Sequence, residues 1–218
     1  MATVVRLRIA LADRPGALAR VAAVVAQRGG NVLTVDVHHS GFVSAVDDMI
    51  VEFSDQCDLT ALRNELTASG GETVICEPAA AEPVDLVVDA FRRATRLLSS
   101  RPAEPDDVLA ANVAELCDSP VAWVSTAEEA VRWEAGRFAL ERNGAIALRT
   151  AGLPEGLASR LPGEVWLLAL PDPDQLRGGR VVFVARPVAV EFTRTEVARI
   201  EALLTLHEQV DRLLSRHP

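Results

Sequence analysis

The sequence contains no lysine and no tyrosine, and only three cysteines and four histidines in 218 residues. Because every basic residue is an arginine, the chain has no lysine for a Schiff base and none for a phosphate-binding loop of the Walker type. The net charge of −9 is spread along the chain, so no basic stripe is available to neutralise phosphates. These absences argue against nucleic acid and anionic membrane as partners.

The three cysteines, Cys57, Cys76 and Cys117, show no C-x-x-C spacing. An odd number without that spacing favours neither a disulfide framework nor a zinc site, and a reducing cytoplasm is the simplest location. The chain opens on an alternating run rather than the basic flank and apolar core of a signal peptide. No apolar stretch approaches the roughly 20 residues that span a membrane. We therefore expect a cytoplasmic protein with no cofactor and no metal.

The first 78 residues alternate between strand-like and helix-like patterns. Three stretches have apolar residues at every second position, as half-buried strands do: 5–9, 33–37 and 49–53. Residues 72–77 are predicted to form a fourth, short strand. The runs 15–28 and 59–66 have the spacing of amphipathic helices, and each is followed by a Gly-Gly pair that can end a helix. The resulting order, βαββαβ, is the split ferredoxin-like unit, in which the first strand lies between the third and the fourth.

The same patterns predict which side chains share a face of this sheet. On the second strand, the inward residues are predicted to be Leu33, Val35 and Val37. On the outer face, opposite charges are predicted to face each other across the first and third strands: Arg6, Arg8, Asp48 and Glu52.

Residues 11–20, LADRPGALAR, join the first strand to the first helix. The first turn of a helix has unpaired N–H groups and a positive dipole end, which together suit a carboxylate. Pro15 fixes the backbone angle for a helix start, and Gly16 lets a ligand approach the main chain closely. The predicted donors are the amides of Gly16, Ala17 and Leu18. Asp13 either caps these amides or accepts from a ligand ammonium group.

Asn31 offers a donor and an acceptor on one side chain, which matches both ends of a zwitterion. The residues therefore favour an amino-acid site, with its carboxylate on the helix start and its ammonium group towards Asp13 or Asn31. The alternative is a helix cap to which nothing binds.

The motif D-R-P-G-A-L at the helix start and G-G-N-V at the second strand, within a βαββαβ unit, resemble an ACT domain over about residues 3–78. The resemblance implies a small-molecule sensor, most often for amino acids, that regulates an enzyme or transporter. It also implies a homodimer of paired ACT units, with ligand between the first loop of one unit and the second-strand side of its neighbour. The ligand-binding residues predicted on both grounds are Asp13, Arg14, Pro15, Gly16, Ala17, Leu18 and Asn31.

Beyond a linker at 79–83, residues 84–218 have the pattern of a second domain. Two helices are expected near 87–98 and 106–117, followed by four strand-like runs: 121–126, 137–150, 164–170 and 180–190. Asn143-Gly144 predicts a hairpin inside the second run. Thr193-x-x-Glu196 predicts the start of a long helix that ends near 214.

This order of elements, and above all the stretch EFTRTEVARIEALLTLHEQV, is similar to a GAF-like domain. Such domains bind small ligands or dimerise in signalling, and the resemblance implies no particular ligand here. The last helix carries a 3-4-3 spacing of apolar residues, which suits either a seam with a partner helix or a face packed on its own sheet: Leu203, Leu206, Val210 and Leu213.

Residue patterns for chemistry are weak. His38 and His39 are adjacent in a predicted strand and so point to opposite faces, which favours a surface pair over a metal site. His207 lacks an H-E-x-x-H partner and is expected at the surface or an interface. Asp47-Asp48 is expected in a turn. No G-x-S-x-G, G-x-G-x-x-G or phosphate-loop motif is present, so catalysis has no visible place.

The sequence therefore predicts a two-domain α+β protein, with an N-terminal ferredoxin-like ACT domain at 1–78 and a C-terminal GAF-like antiparallel sheet with flanking helices at 84–218. The expected function is a non-catalytic regulatory sensor for an amino acid or similar metabolite. The alternative is a dimerising signalling module with a vestigial ACT site, whose GAF-like domain binds a different ligand or partner. An enzyme with an unrecognised site is the third possibility.

Overall fold

The computed structural model describes six stretches of the chain: 2–40, 44–79, 86–99, 105–172, 179–187 and 191–216. The chain divides into two compact units. The first consists of Met1–Asp85 together with Thr193–Thr195, and the second consists of Leu86–Phe192 and Glu196–Pro218. The predicted linker lies outside the described residues from position 80 onward. Among the helices of the described stretches, none combines the length and the apolar character needed to cross a membrane.

The first unit has the predicted βαββαβ order. Its elements are β1 (Thr3–Ala12), α1 (Ala17–Gln27), β2 (Gly30–Ser40), β3 (Ser44–Phe53), α2 (Leu59–Ala68) and β4 (Gly71–Pro78). The strands form one antiparallel sheet in the order β2-β3-β1-β4, with β1 between β3 and β4 as expected.

One face of this sheet carries the apolar core, because alternate residues of β1 point to the same side as the apolar stripes of both helices. The fully buried members include Val5, Leu7, Ile9, Val21 and Leu62. Burying a side chain of this size stabilises the fold by roughly 1.5–3 kcal/mol. The periodicity in the sequence is therefore the direct cause of the two-layer packing.

The two Gly-Gly pairs combine two backbone requirements. Gly29 and Gly70 take left-handed backbone angles, with φ of +73° and +96°, just after the helices end. Gly30 follows where β2 begins, and a Cβ there would lie 2.7 Å from Val25 Cγ1. The first glycine of each pair thus turns the chain, and Gly30 lets strand and helix approach closely.

The second strand departs from the predicted alternation. The pairing with β3 shifts between Val32 and Thr34, so Val32 takes the inward position expected for Leu33. Val35 and Val37 lie opposite Met49 and Asp47, on the core side, yet they are 43% and 48% exposed. The predicted side of the sheet is thus confirmed for Val35 and Val37, whereas the inward place of Leu33 is wrong because a bulge shifts the register before Thr34. Both valines stay about half exposed because β2 is at the edge of the sheet.

The second unit is a four-stranded antiparallel sheet with helices on both faces. Its strands, in the sheet order β5-β8-β7-β6, are β5 (Val121–Thr126), β6 (Ile146–Thr150), β7 (Val165–Pro171) and β8 (Arg180–Pro187). Its helices are α3 (Leu86–Ser99), α4 (Pro105–Leu116), α5 (Ala127–Ala130), α6 (Glu134–Arg142) and α7 (Arg194–Arg216).

Strand β8 is buried on both faces of this sheet. Val182 and Val184 pack with residues of α4 and α7, whereas Val181 and Phe183 pack with residues of α5 and α6. Leu203 belongs to the α7 side of this core, and Val210 is buried as well. The apolar stripe of α7 therefore packs within its own chain over most of its length, although Leu213 is 59% exposed.

The predicted hairpin at Asn143-Gly144 is wrong. Residues Glu134–Arg142 form α6, and Asn143 is its C-cap with φ of +50°. The amide of Gly144 donates to the carbonyl oxygen of Ala139, which closes the helix end. An Asn-Gly pair suits a left-handed helix cap as well as a hairpin turn, so the motif by itself does not distinguish them.

Candidate functional site

The predicted ligand site lies at the start of α1, where residues 13–16 are all exposed. Gly16 is the N-cap residue, with φ of +83°, and having no side chain it supplies no capping oxygen. A Cβ at Gly16 would meet no atom within 4 Å. The helix start therefore opens directly to the surroundings at the position where a glycine is required by the backbone angle.

Among the three predicted donors, the amide of Ala17 is already bonded. It donates to the carbonyl oxygen of Arg14 at 3.1 Å, which closes a tight turn over residues 14–17. The helical ladder then begins with the amide of Arg20, which donates to the carbonyl oxygen of Gly16 at 3.2 Å. Gly16 and Leu18 are left as the predicted amide donors for an anion.

Within one chain, Asn31 is not brought to this loop. Asn31 pairs with Glu52 in β3, and Glu52 pairs with Val4 near the beginning of β1. The loop follows Ala12 at the other end of β1, eight residues further on, which is about 26 Å along a strand. Asn31 and the start of α1 are therefore at opposite ends of the same sheet.

Asp47 is a polar residue of this region that the sequence reasoning missed. It pairs with Ile9 of β1 and so points to the core side of the sheet, where it is only 2% exposed. The signal was present in the sequence, because Asp47 occupies the same alternate positions as Met49 and Val51. Its expected place in a turn is wrong, since both Asp47 and Asp48 lie within β3.

The helix and strand geometry places Asp47 level with the first turn of α1. Val25 of α1 and Val51 of β3 lie at the same height along the sheet. A Cβ added to Gly30 would lie 2.7 Å from Val25 Cγ1 and 2.9 Å from Val51 Cγ1. Eight residues of helix from Val25 to Ala17 span about 12 Å, and four residues of strand from Val51 to Asp47 span about 13 Å. The buried Asp47 side chain therefore lies on the core side of the sheet, at the end of the sheet where α1 begins.

The outer face of the sheet carries a compact charged cluster. Arg8 donates twice to Asp48, from Nε at 2.9 Å and from Nη2 at 2.7 Å, as the sequence predicted. His38 Nε2 lies 3.4 Å from Asp48 Oδ2, and Arg6 Nη2 lies 4.0 Å from Asp48 Oδ1. Burial raises the pKa of Asp48, but the contacts with His38, Arg8 and Arg6 outweigh it and bring that pKa to about 2.

The expectation that His38 is at the surface is therefore wrong, because the side chain is buried against the carboxylate of Asp48. The cluster connects β1, β2 and β3 through one shared acceptor. Its geometry suits a structural role, since both oxygens of Asp48 are engaged by Arg8.

A second charged cluster lies in the second unit. His207 is buried, against expectation, with Nε2 3.6 Å from Asp106 Oδ1, and Arg180 Nη1 donates to the same oxygen at 2.6 Å. The neighbouring His207 is the largest of the influences that lower the pKa of Asp106, despite the partial burial of that carboxylate. Asp106 thus joins α4, α7 and β8.

The described residues contain no group of three or more His, Cys, Asp and Glu side chains arranged to hold a metal ion. Burial raises the pKa of both Cys57 and Cys76. A raised pKa reduces the thiolate fraction at neutral pH, so these thiols are poor nucleophiles.

Comparison with known proteins bears on the first unit. Residues 5–71 match the family model of the ACT domain. Comparison of the sequence with curated proteins finds no significant match.

Solved structures that resemble the chain do so at low identity. The ACT domain of a GTP pyrophosphokinase from Chlorobium tepidum is 16% identical, with 36% of this chain and 100% of that chain covered and a TM-score of 0.29. The C-terminal domain of the MgtC protein from Mycobacterium tuberculosis is 17% identical, with coverages of 38% and 93% and a TM-score of 0.30. A formyltetrahydrofolate deformylase from Burkholderia mallei is 14% identical, with coverages of 98% and 95% and a TM-score of 0.35.

The family match covers the elements from β1 to α2 and ends at the first residue of β4. Residues 5–71 of this chain are an ACT domain.

Proposed function

We propose that the chain is a non-catalytic cytoplasmic regulator whose ACT domain binds a free amino acid, or a similar small metabolite with a carboxylate, at the start of α1. ACT domains are in general regulatory modules that bind small ligands. The observation that carries the proposal is the exposed helix start at Gly16, whose left-handed backbone and open surroundings leave room for a ligand against the main chain.

In this proposal the ligand carboxylate accepts from the amides of Gly16 and Leu18, where the helix dipole favours a negative charge. Asp13, exposed in the same loop, accepts from the ligand ammonium group. Arg14 and Pro15 shape the loop, and the turn between Arg14 and Ala17 holds Gly16 in position.

Asn31 enters the site only from a second copy, since within one chain it lies at the far end of the sheet. A homodimer is supported by the edge strand β2, on which Val35 and Val37 are exposed. An edge strand offers unpaired backbone groups, and two copies can join such edges about a two-fold axis.

The second unit is proposed to be GAF-like and to transmit the ligand signal or to bind a partner. Support comes from its antiparallel sheet, flanked on both faces by helices and followed by the long helix α7. Coupling then requires that the ligand bind two arrangements of the paired ACT units with different affinities.

The alternative function, a dimerising signalling module with a vestigial ACT site, is favoured by Asp47. Its buried carboxyl group lies on the core side, at the same end of the sheet as the first turn of α1, where an ionised carboxylate would meet the positive end of the helix dipole in place of a ligand. Under this alternative the second unit recognises a different ligand or partner.

Thermal unfolding in the presence of each amino acid tests the proposal. A ligand at about 100 times its Kd stabilises the folded state by about 2.7 kcal/mol, so Tm should rise by several degrees. Gly16→Val should abolish the rise, because a side chain there would occupy the approach to the amides. Gly156→Val is the matched control, since Gly156 also has a positive φ (+92°) and open surroundings.

Asp47→Asn separates the two functions. If Asp47 merely repels a ligand carboxylate, its neutralisation should strengthen binding to an existing site. If no amino acid at millimolar concentration changes Tm in the wild type, but Asp47→Asn creates a response, the site is vestigial. No response in either protein contradicts an amino-acid site of any kind.

A further inference from the structure

Helix α3 is held against α4 by charged side chains. Arg93 Nη1 donates to the carbonyl oxygen of Asn112 at 3.1 Å and to Glu115 Oε2 at 3.2 Å. Arg96 donates to both oxygens of Glu115, at 3.1 and 2.7 Å. Arg96 and Glu115 are about half exposed, so salt screens their attraction. The Arg96–Glu115 pair therefore holds α3 only weakly, whereas Arg93 is 11% exposed.

The polar side chain of Asn112 is buried at this helix pair. Asn112 is 1% exposed, and within the described part of the chain neither Nδ2 nor Oδ1 has a hydrogen-bond partner. A helix turns 100° per residue, which places Asn112 between Leu109, which packs on the sheet, and Glu115, which faces α3. Burial of this amide, beside the face of α4 that binds α3, removes its water and returns no hydrogen bond.

The docked position also leaves apolar side chains of α3 in water. Phe91 is 71% exposed and Val88 is 44% exposed. The two are three residues apart and so lie on one face of the helix. Docking on α4 therefore does not satisfy α3 fully, and it leaves the amide of Asn112 unsatisfied as well.

We propose that α3 is a detachable helix, which exchanges between this docked position and an undocked one in which water reaches the side chain of Asn112. Screening of the exposed Arg96–Glu115 pair by salt shifts the exchange towards the undocked form. In the sequence, α3 is the first described element after β4, the last strand of the first unit. The detachment itself does not depend on the proposed ligand function.

Hydrogen exchange measured by mass spectrometry on the full chain tests this inference. Amides of α3 should exchange at least about tenfold faster than those of α4 around Leu109–Val113, and faster still in added salt. Asn112→Leu, which replaces the unsatisfied amide with an apolar side chain of similar size, should slow exchange in α3 by about tenfold.

Glu115→Gln removes the ion pairs without touching the core and should accelerate exchange in α3 alone. Its control is Glu141→Gln, because Glu141 forms an exposed ion pair with Arg137 on another helix. The inference is overturned if α3 is as protected as α4 in the wild type, or if exchange in α3 is unchanged by both Asn112→Leu and Glu115→Gln. Should Asn112→Leu fail to fold, the salt series and Glu115→Gln decide the matter.

Discussion

Single side chains set much of the pH response of the first unit, and Asp48 is the clearest case. Its carboxylate stays ionised at a site that is mostly closed to water, because Arg8 donates hydrogen bonds to both of its oxygens and His38 lies beside them. Its pKa of about 2 in the folded chain is below the ordinary value of 3.8. Folding therefore favours the ionised form, and the stabilisation is present above the unfolded-state pKa.

Asp48→Asn should remove this part of the acid sensitivity. The stabilisation, about 2 kcal/mol from the size of the pKa shift, is complete near neutral pH and fades as pH falls from about 4 towards 2. The difference in the free energy of unfolding between wild type and variant should therefore shrink over that interval, as measured by urea titration. Glu141→Gln, which breaks the exposed pair with Arg137, is the control. A difference that does not vary with pH would refute this account of Asp48.

The surroundings of single side chains were the least predictable from the sequence. The pairing of Arg8 with Asp48 was predictable, because strand order and alternation together place them opposite each other. The burial of His38 and His207 was not, since it depends on acids that are distant in sequence. Asp47 could have been found from its inward position among apolar residues.

At the scale of whole elements, the start of α7 is held by a buried ion pair. Arg186 of β8 donates from Nη1 and Nη2 to the two oxygens of Glu196, at 2.8 and 2.9 Å, and Nη1 also reaches the carbonyl oxygen of Cys117. Its guanidinium carbon lies 4.1 Å from the ring centre of Phe192. The pair thus ties together β8, the end of α4 and the first turn of α7.

Arg186→Met should destabilise the second unit by about 3–5 kcal/mol, because it leaves the carboxylate of Glu196 buried without its partner. Adding Glu196→Leu should recover most of that loss, since a well-packed apolar pair can replace a buried ion pair. All three tryptophans lie in this unit, so denaturant unfolding followed by tryptophan fluorescence reports on it. Arg149→Met, at an exposed pair with Glu164, is the control.

Failure of the double variant to regain stability would mean that the ion pair has a role that packing cannot replace. The charges of Arg186 and Glu196 would then be needed for more than fixing the start of α7.

Helices and strands were predictable where an apolar pattern continues over many residues. They were missed where one short motif is compatible with two backbone structures. The order βαββαβ follows from apolar spacing and the two Gly-Gly pairs, and the start of α7 follows from its capping box. Helix α6 was mistaken for a strand because an Asn-Gly pair satisfies a positive φ in either setting. The bulge in β2 has no local sequence signal, since it arises from the pairing with β3.

For the molecule as a whole, the proposal requires two copies of the chain. Val37 is 48% exposed on the edge strand β2, so Val37→Lys should place a charge at the joined edge and shift the chain from dimer to monomer. Light scattering after size exclusion measures this directly. Val131→Lys is the control, because Val131 is 53% exposed in the second unit. A wild-type chain that is monomeric, or a variant that remains dimeric, would rule out pairing through β2.

The central claim is that a small carboxylate ligand sits on the first turn of α1, and the most direct measurement is an amide NMR titration of the isotope-labelled chain with pooled amino acids. The largest shifts are expected at the amides of Gly16 and Leu18, and Gly16→Val should remove them. Shifts centred in the second unit, or no shift at Gly16 and Leu18 at millimolar concentrations, would contradict this claim.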